Sequence, residues 1–176
     1  MIEGQEGVTW DDWVALASAC EEHGVEALFR SDHYVSGFDE TRPVLDAWAT
    51  IAGLAARTTR LELGTLVSPV TFRHPAVLAR AAATADEISN GRITLGMGAG
   101  WMKREHEAYG LDFGTAGERV AHLAEQVEIV HRLFREEHVD FEGTHYRLQD
   151  APGLRRPDPR GAPAFAWAGS TSPSPG

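Results

Sequence analysis

The stretch Arg92-Ile93-Thr94-Leu95-Gly96-Met97-Gly98-Ala99-Gly100-Trp101 decides the fold. Ile93, Leu95 and Met97 alternate with Thr94, Gly96 and Gly98, which is the period-2 pattern of a strand. The strand runs out through three glycines. Without a Cβ they let the backbone turn sharply and approach a flat ligand closely. Helical patterns lie on both sides. A glycine-rich strand end between two helices belongs at the C-terminal edge of a parallel sheet, where α/β proteins place their ligands. A tight exit from strand to loop needs the same glycines, so the other strand ends must decide between the two.

Toward the N-terminus, Asn90-Gly91 turns the chain into this strand. A helix precedes it, opened by Arg73-His74-Pro75 and running to Ile88, with proline in the first turn where its missing N–H costs nothing. Arg60 to Ser68 reads as a strand stopped by Pro69. Val44 to Arg57 reads as a helix with Leu45, Trp48, Ile51 and Leu54 on one side. Val25 to Arg30 is a short strand that runs directly into the polar cluster Ser31-Asp32-His33-Tyr34. Thr9 and Asp12 form a capping-box-like pair before the stripe Trp13, Leu16, Ala17 and Cys20, and Gly24 ends that helix. Ile2-Glu3-Gly4-Gln5 resembles the last residues of an earlier strand.

Toward the C-terminus, Trp101 to Gly117 reads as a loop with a short helical turn. Glu118 to Glu137 follows as a helix with Val120, Leu123, Val127, Val130 and Phe134 toward the core. Val139 to Leu148 forms a hairpin turning at Glu142-Gly143-Thr144. Residues 155–176 are rich in Pro, Gly, Ser, Ala and Arg and are expected to form a disordered tail, with Ala164 to Ala168 as the exception.

Composition narrows the function classes. A net charge of -10 argues against nucleic acid and anionic membranes, which attract basic faces. No apolar run approaches the ~20 residues of a membrane span. The single cysteine, Cys20, has no partner for an internal disulfide and fits a reducing cytoplasm. Histidines 33, 74, 106 and 145 come from different strand ends, but no His-X-His or partnered Glu-X-X-His accompanies them, so no metal is expected. Serine-hydrolase, P-loop and dithiol motifs are absent from the sequence.

Strand starts near Val25, Arg60 and Arg92 repeat at the spacing of βαβ units. That pattern fits either a barrel or an open doubly wound sheet. The motifs go further. Ser31-Asp32-His33, Leu63-Gly64-Thr65, Arg73-His74-Pro75-Ala76 and Ser89-Asn90-Gly91-Arg92 stand in that order. They are followed by Leu95-Gly96-Met97-Gly98-Ala99-Gly100-Trp101, Glu105-His106-Glu107-Ala108-Tyr109-Gly110 and Glu118-Arg119. On these residues the chain resembles the bacterial luciferase-like superfamily of flavin- and deazaflavin-dependent oxidoreductases, and within it the actinobacterial members that use coenzyme F420.

The resemblance implies a (β/α)8 TIM barrel with its cofactor at the C-terminal strand ends. Such barrels need about 250 residues. Residues 1–154 are therefore expected to be a partial barrel of about four β/α units, followed by the tail 155–176. A gene fragment, or a shifted frame near Arg155–Arg160, would account for the drift after Pro157. The later loops that hold the cofactor phosphate in the family have no counterpart in these residues.

By the same resemblance, His33 and Asp32 are the catalytic candidates, with the histidine moving a proton beside hydride transfer. Thr65, Leu66, Val67 and Ser68 would lie against the cofactor ring, with a non-prolyl cis peptide joining Leu66 and Val67. Gly98, Ala99 and Gly100 would let the backbone approach it. Some F420-dependent sugar dehydrogenases carry a glutamate proton donor in this segment, which here has Ala99 and no acid. Glu3, with Gln5, would face the pocket.

Arg73 and His74 are read as organising a helix start, and Glu105 and His106 as fixing the loop after Trp101. His122, His131 and His138 are read as solvated along one helix, and Trp10, Trp13 and Trp48 as packing residues. The expected function is hydride transfer between F420 and a small organic substrate. The alternatives are an FMN-dependent monooxygenase of the same fold, an inactive half-barrel fragment, a half barrel that pairs in a homo-oligomer, and an open-sheet binding protein.

Overall fold

The computed structural model describes residues 1–154 and the strand Ala164–Ala168. In chain order the elements are α1 (Trp10–Glu22), β1 (Ala27–Arg30), α2 (Ala47–Ala55), β2 (Glu62–Thr65), β3 (Ser68–Pro69) and α3 (Pro75–Ser89). Then come β4 (Ile93–Gly98), α4 (Lys103–Tyr109), α5 (Ala116–Leu133), β5 (His138–Glu142), β6 (Arg147–Pro152) and β7 (Ala164–Ala168).

β1 pairs in parallel with β2, which pairs with β4. β3 pairs with the same β4 through Ser68↔Met97 and Pro69↔Gly98. β2 and β3 are thus two pieces of one strand, interrupted where the Leu66–Val67 peptide is cis. β7 lies on the other side of β4, from Thr94↔Ala164 to Gly98↔Ala168. On the far side of β1, Ile2 makes a single parallel bridge to Arg30. The spatial order is therefore Ile2, β1, β2 with β3, β4, β7. All pairings within this sheet are parallel, and its described strands form a partial barrel that does not close.

Local chemistry sets the helix ends. Thr9 and Asp12 form a full capping box at α1. His74 caps α3 ahead of Pro75, and Asn90, in the left-handed region at φ 62°, ends it. Helix α5 starts earlier than the apolar pattern suggests, because Thr115 and Glu118 make a second capping box. What read as a helical turn after Trp101 is the seven-residue helix α4. The hairpin is β5 with β6, docked on α5.

The core lies between the sheet and the helices. Leu63, Leu95 and Met97 from the sheet meet Trp48, Ile51 and Leu54 of α2, Leu78 and Ala82 of α3, and Ile129 and Val130 of α5. Two glycines permit this packing. A Cβ on Gly64 would stand 2.1 Å from the Thr94 carbonyl oxygen, and one on Gly96 would stand 2.1 Å from that of Thr65.

Three expectations are corrected. Val120 is 59% exposed. At about 100° per residue it falls outside the buried stripe of Leu123, Gln126, Ile129, Val130 and Leu133, in which the polar Gln126 takes a core position. His138 opens β5 rather than extending the helix, which ends at Leu133. His122 is partly buried, its ring 3.8 Å from that of His145. Apart from Ala164–Ala168, the expected tail lies outside the described residues. None of the described helices is long and apolar enough to cross a membrane.

Candidate active site

The C-terminal ends of β1, β2, β3 and β4 converge on one buried polar network. Asp32, two residues beyond β1, is 1% exposed. Its Oδ2 accepts from Arg73 Nη1 at 2.5 Å and from Ser68 Oγ at 2.9 Å. Arg73 also donates to Asp46 Oδ2 at 2.7 Å, so one guanidinium joins two carboxylates. Ser68 Oγ accepts from Trp48 Nε1 at 3.0 Å, and Thr65 Oγ1 donates to the Gly96 carbonyl at 2.9 Å. Ser68 has one hydroxyl proton, and the carboxylate is the stronger acceptor. The network therefore runs from Trp48 through Ser68 to Asp32.

Burial pushes the Asp32 carboxyl up from its ordinary value, while Arg73 and Ser68 pull it back. Arg73 itself stays charged: burial opposes its charge, but Asp32 and Asp46 outweigh that and raise it. Arg73 therefore does more than open a helix. The helix start is held by His74, whose Nδ1 accepts from Ala76 N at 3.3 Å.

His33 points away from that network. Its Nδ1 lies 2.9 Å from Glu105 Oε1, a residue 72 positions later in α4. Glu105 Oε2 accepts from the Tyr34 backbone N–H at 3.0 Å, which fixes the carboxylate. A carboxylate accepts, so Nδ1 donates to it, and in the neutral imidazole Nε2 keeps its lone pair. Nε2 has no hydrogen-bond partner among the described residues and is not sealed in the interior. Burial alone would depress the His33 imidazolium, but Glu105, with Glu3 and Asp32 behind it, raises its pKa above 6.5. The arrangement is an oriented base with one free nitrogen.

The sequence suggests that Glu105 and His106 both fix the loop after Trp101, but Glu105 turns to His33 and Tyr34. That role belongs to His106, whose Nδ1 donates to the Met102 carbonyl at 2.8 Å and whose Nε2 accepts from Thr71 Oγ1 at 2.6 Å. The Glu105-His106 pair divides its work because adjacent helix residues point about 100° apart.

The other candidates sit around this base. Glu3 accepts from Gln5 Nε2 at 2.7 Å and is exposed at the end of the Ile2 bridge. Leu66 is 45% exposed beside the end of β1, and Val67 is partly buried. Gly98 is buried, its carbonyl accepting from Val70 N at 2.9 Å. Ala99 and Gly100 are half-buried at the strand exit, Gly100 at φ 79°. Trp101 follows, 71% exposed, with its ring edge-on to His33 at 5.6 Å. A groove between α2 and α3, lined by Trp48, Ala52, Val77 and Arg80 among others, lies on the helical layer and includes neither His33 nor Glu105.

The fold and site are those of a partial α/β barrel with an oriented histidine at its strand ends. Residues 2–174 match the family model of luciferase-like monooxygenases, and the chain belongs to that family. Among curated relatives, it is 41% identical over 160 residues to an F420-dependent glucose-6-phosphate dehydrogenase of Mycobacterium avium, covering 89% of this chain and 47% of that protein. It is 36% identical over 159 residues to the enzyme of the same description from Amycolatopsis mediterranei, covering 90% and 47%.

Among solved structures, the monooxygenase RslO1 of Streptomyces bottropensis superposes with a TM-score of 0.77 at 31% identity, covering 92% of this chain and 47% of that one. An F420-dependent secondary alcohol dehydrogenase bound to an F420-acetone adduct superposes at 0.83 and 21% identity, covering 96% and 53%, which speaks for the fold. The chain spans about half the length of the curated relatives it matches.

Proposed function

We propose that this chain carries the proton-handling half of an F420-dependent dehydrogenase site acting on a small organic alcohol or carbonyl compound. The observation that carries the reading is the Glu105–His33 pair, which leaves Nε2 free at the strand ends.

The residues present fit a flat cofactor ring. Leu66 and Trp101 offer exposed apolar surface at the same strand ends, and the backbone at Ala99 and Gly100 presents little side chain. These residues, with Val67, would hold the ring. When bound, F420 supplies a carbon that accepts or returns hydride. His33 Nε2 would take the proton of an alcohol substrate's hydroxyl group, or return it to a carbonyl oxygen in the reverse direction. Glu105 holds the ring tautomer and stabilises the imidazolium. Asp32, locked by Arg73 and Ser68, anchors the backbone from which His33 projects.

The second reading keeps the fold and uses FMN and oxygen, and it is favoured by the 31% identity to a monooxygenase at a TM-score of 0.77. The test is titration of the purified protein with F420 and, separately, with FMN, followed by cofactor fluorescence. Saturable F420 binding, with hydride transfer reduced by about 10²–10⁴ in His33→Asn, supports the dehydrogenase. Binding of FMN alone moves the assignment to the monooxygenase. Binding of neither by the folded chain removes both readings for these 176 residues.

A further inference from the structure

Gln126 is fully buried on α5, in a stripe otherwise made of apolar residues. Its Nε2 faces three acceptors: the Val70 carbonyl at 2.8 Å, the Arg73 carbonyl at 3.2 Å and the Tyr146 hydroxyl at 2.7 Å. Its Oε1 is buried with no partner among the described residues. Flipping the amide does not help, because the oxygen would then face two carbonyls. An unsatisfied buried oxygen is unfavourable, and the fold accepts it in order to aim the NH2 group at residues 70–73.

That segment matters because Arg73 stands at its end. The guanidinium of Arg73 grips Asp32, the neighbour of His33. The carbonyl of the same residue is gripped by Gln126. His106 secures Thr71 from the other side. On the hairpin side, the Tyr146 hydroxyl accepts from Gln126 and lies 3.1 Å from His122 Nδ1. Glu125 receives the backbone N–H groups of Thr144, His145 and Tyr146, which seats the hairpin tip on α5. A continuous set of hydrogen bonds thus leads from the hairpin through Gln126 to Arg73 and Asp32.

We infer that Gln126 is a positioning residue for the site: its side-chain amide, seated by Tyr146, fixes the 70–73 segment so that Arg73 keeps its grip on Asp32 behind His33. The significance of that grip rests on the proposed function, but the contact can be tested without any cofactor.

The experiment follows the Asp32 carboxyl by carbon NMR as pH is varied in wild type, Gln126→Leu, Arg73→Ala and the double variant. Loosening Arg73 leaves burial of Asp32 opposed mainly by Ser68. Gln126→Leu is therefore expected to raise the Asp32 midpoint by about one pH unit, within the range an adjacent opposite charge produces. Arg73→Ala raises it at least as far, and adding Gln126→Leu to Arg73→Ala moves it no further. An unchanged midpoint in folded Gln126→Leu, or an additive rise in the double variant, overturns the proposal.

If Gln126→Leu does not fold, Gln126→Asn draws the amide back by one methylene and is read the same way. If neither folds, the through-hydrogen-bond coupling from Gln126 Nε2 to the Arg73 carbonyl carbon decides in wild type. Its presence supports the proposal and its absence overturns it. Failure of the wild-type chain to bind F420, together with the expected Asp32 response, would sink the dehydrogenase reading and leave the positioning role standing.

Discussion

Glu105 and His33 lie 72 residues apart in the chain and 2.9 Å apart in space, with Glu105 Oε1 against His33 Nδ1. The carboxylate is 1% exposed and His33 8%, so little water screens the pair.

Replacing Glu105 by Gln removes the charge that raises the His33 pKa. The His33 midpoint in a proton-NMR titration is expected to fall below its wild-type value. Because the folded pKa is raised above 6.5, the pair stabilises most below that pH, and the contribution fades as pH rises through the folded midpoint. The stability difference between wild type and Glu105→Gln should therefore shrink from pH 6 upward. A difference that grows with pH would contradict the assigned tautomer and charge.

Asp32 and Arg73 form a pair that is costly to break on one side. Arg73→Met leaves a buried carboxylate without its cation, and chemical denaturation should show a loss of about 3–5 kcal/mol. Adding Asp32→Asn to Arg73→Met should recover part of that loss, because the stranded charge is gone. Losses that simply add would show that the two side chains are not coupled.

Glu21 anchors the turn into β2. Its carboxylate accepts backbone N–H groups from Thr59, Arg60 and Leu61. Those from Arg60 and Leu61 are the main cause of a pKa lowered from 4.5 to about 2. A depressed carboxylate stabilises above 4.5 and loses that contribution as pH falls toward 2. Thermal melts from pH 5 to pH 2 should decline less steeply in Glu21→Gln than in wild type. Parallel curves would show that the turn does not hold Glu21 in its charged form.

Gly96→Ala should destabilise far more than Gly110→Ala. The new methyl at Gly96 meets a backbone carbonyl at 2.1 Å, whereas at Gly110 nothing lies within 4 Å. Overpacking against a rigid strand costs about 1–3 kcal/mol or more. Alanine at the Gly110 helix end, with φ 66°, costs about 1 kcal/mol through strain alone. Equal melting temperatures for the two variants would refute the close approach of β2 and β4.

Strand periodicity and glycine placement determined the parallel sheet, its helices and the polar strand end at Ser31-Asp32-His33, because those signals are local and repeat every two or 3.6 residues. Local chemistry was legible at the capping pair of Thr9 and Asp12 and at Asn90-Gly91.

The partners of the site were not legible in that way. Glu105 lies in a seven-residue helix too short for a period to show which side faces inward. Arg73 reaches Asp32 across 41 residues. Gln126 interrupts an apolar stripe and looks in sequence like a surface residue. Side-chain direction at these positions is set by how loops, α4 and α5 pack on the sheet. Only the tertiary structure could therefore decide which charges meet, which nitrogen of His33 stays free and what holds Arg73 in place.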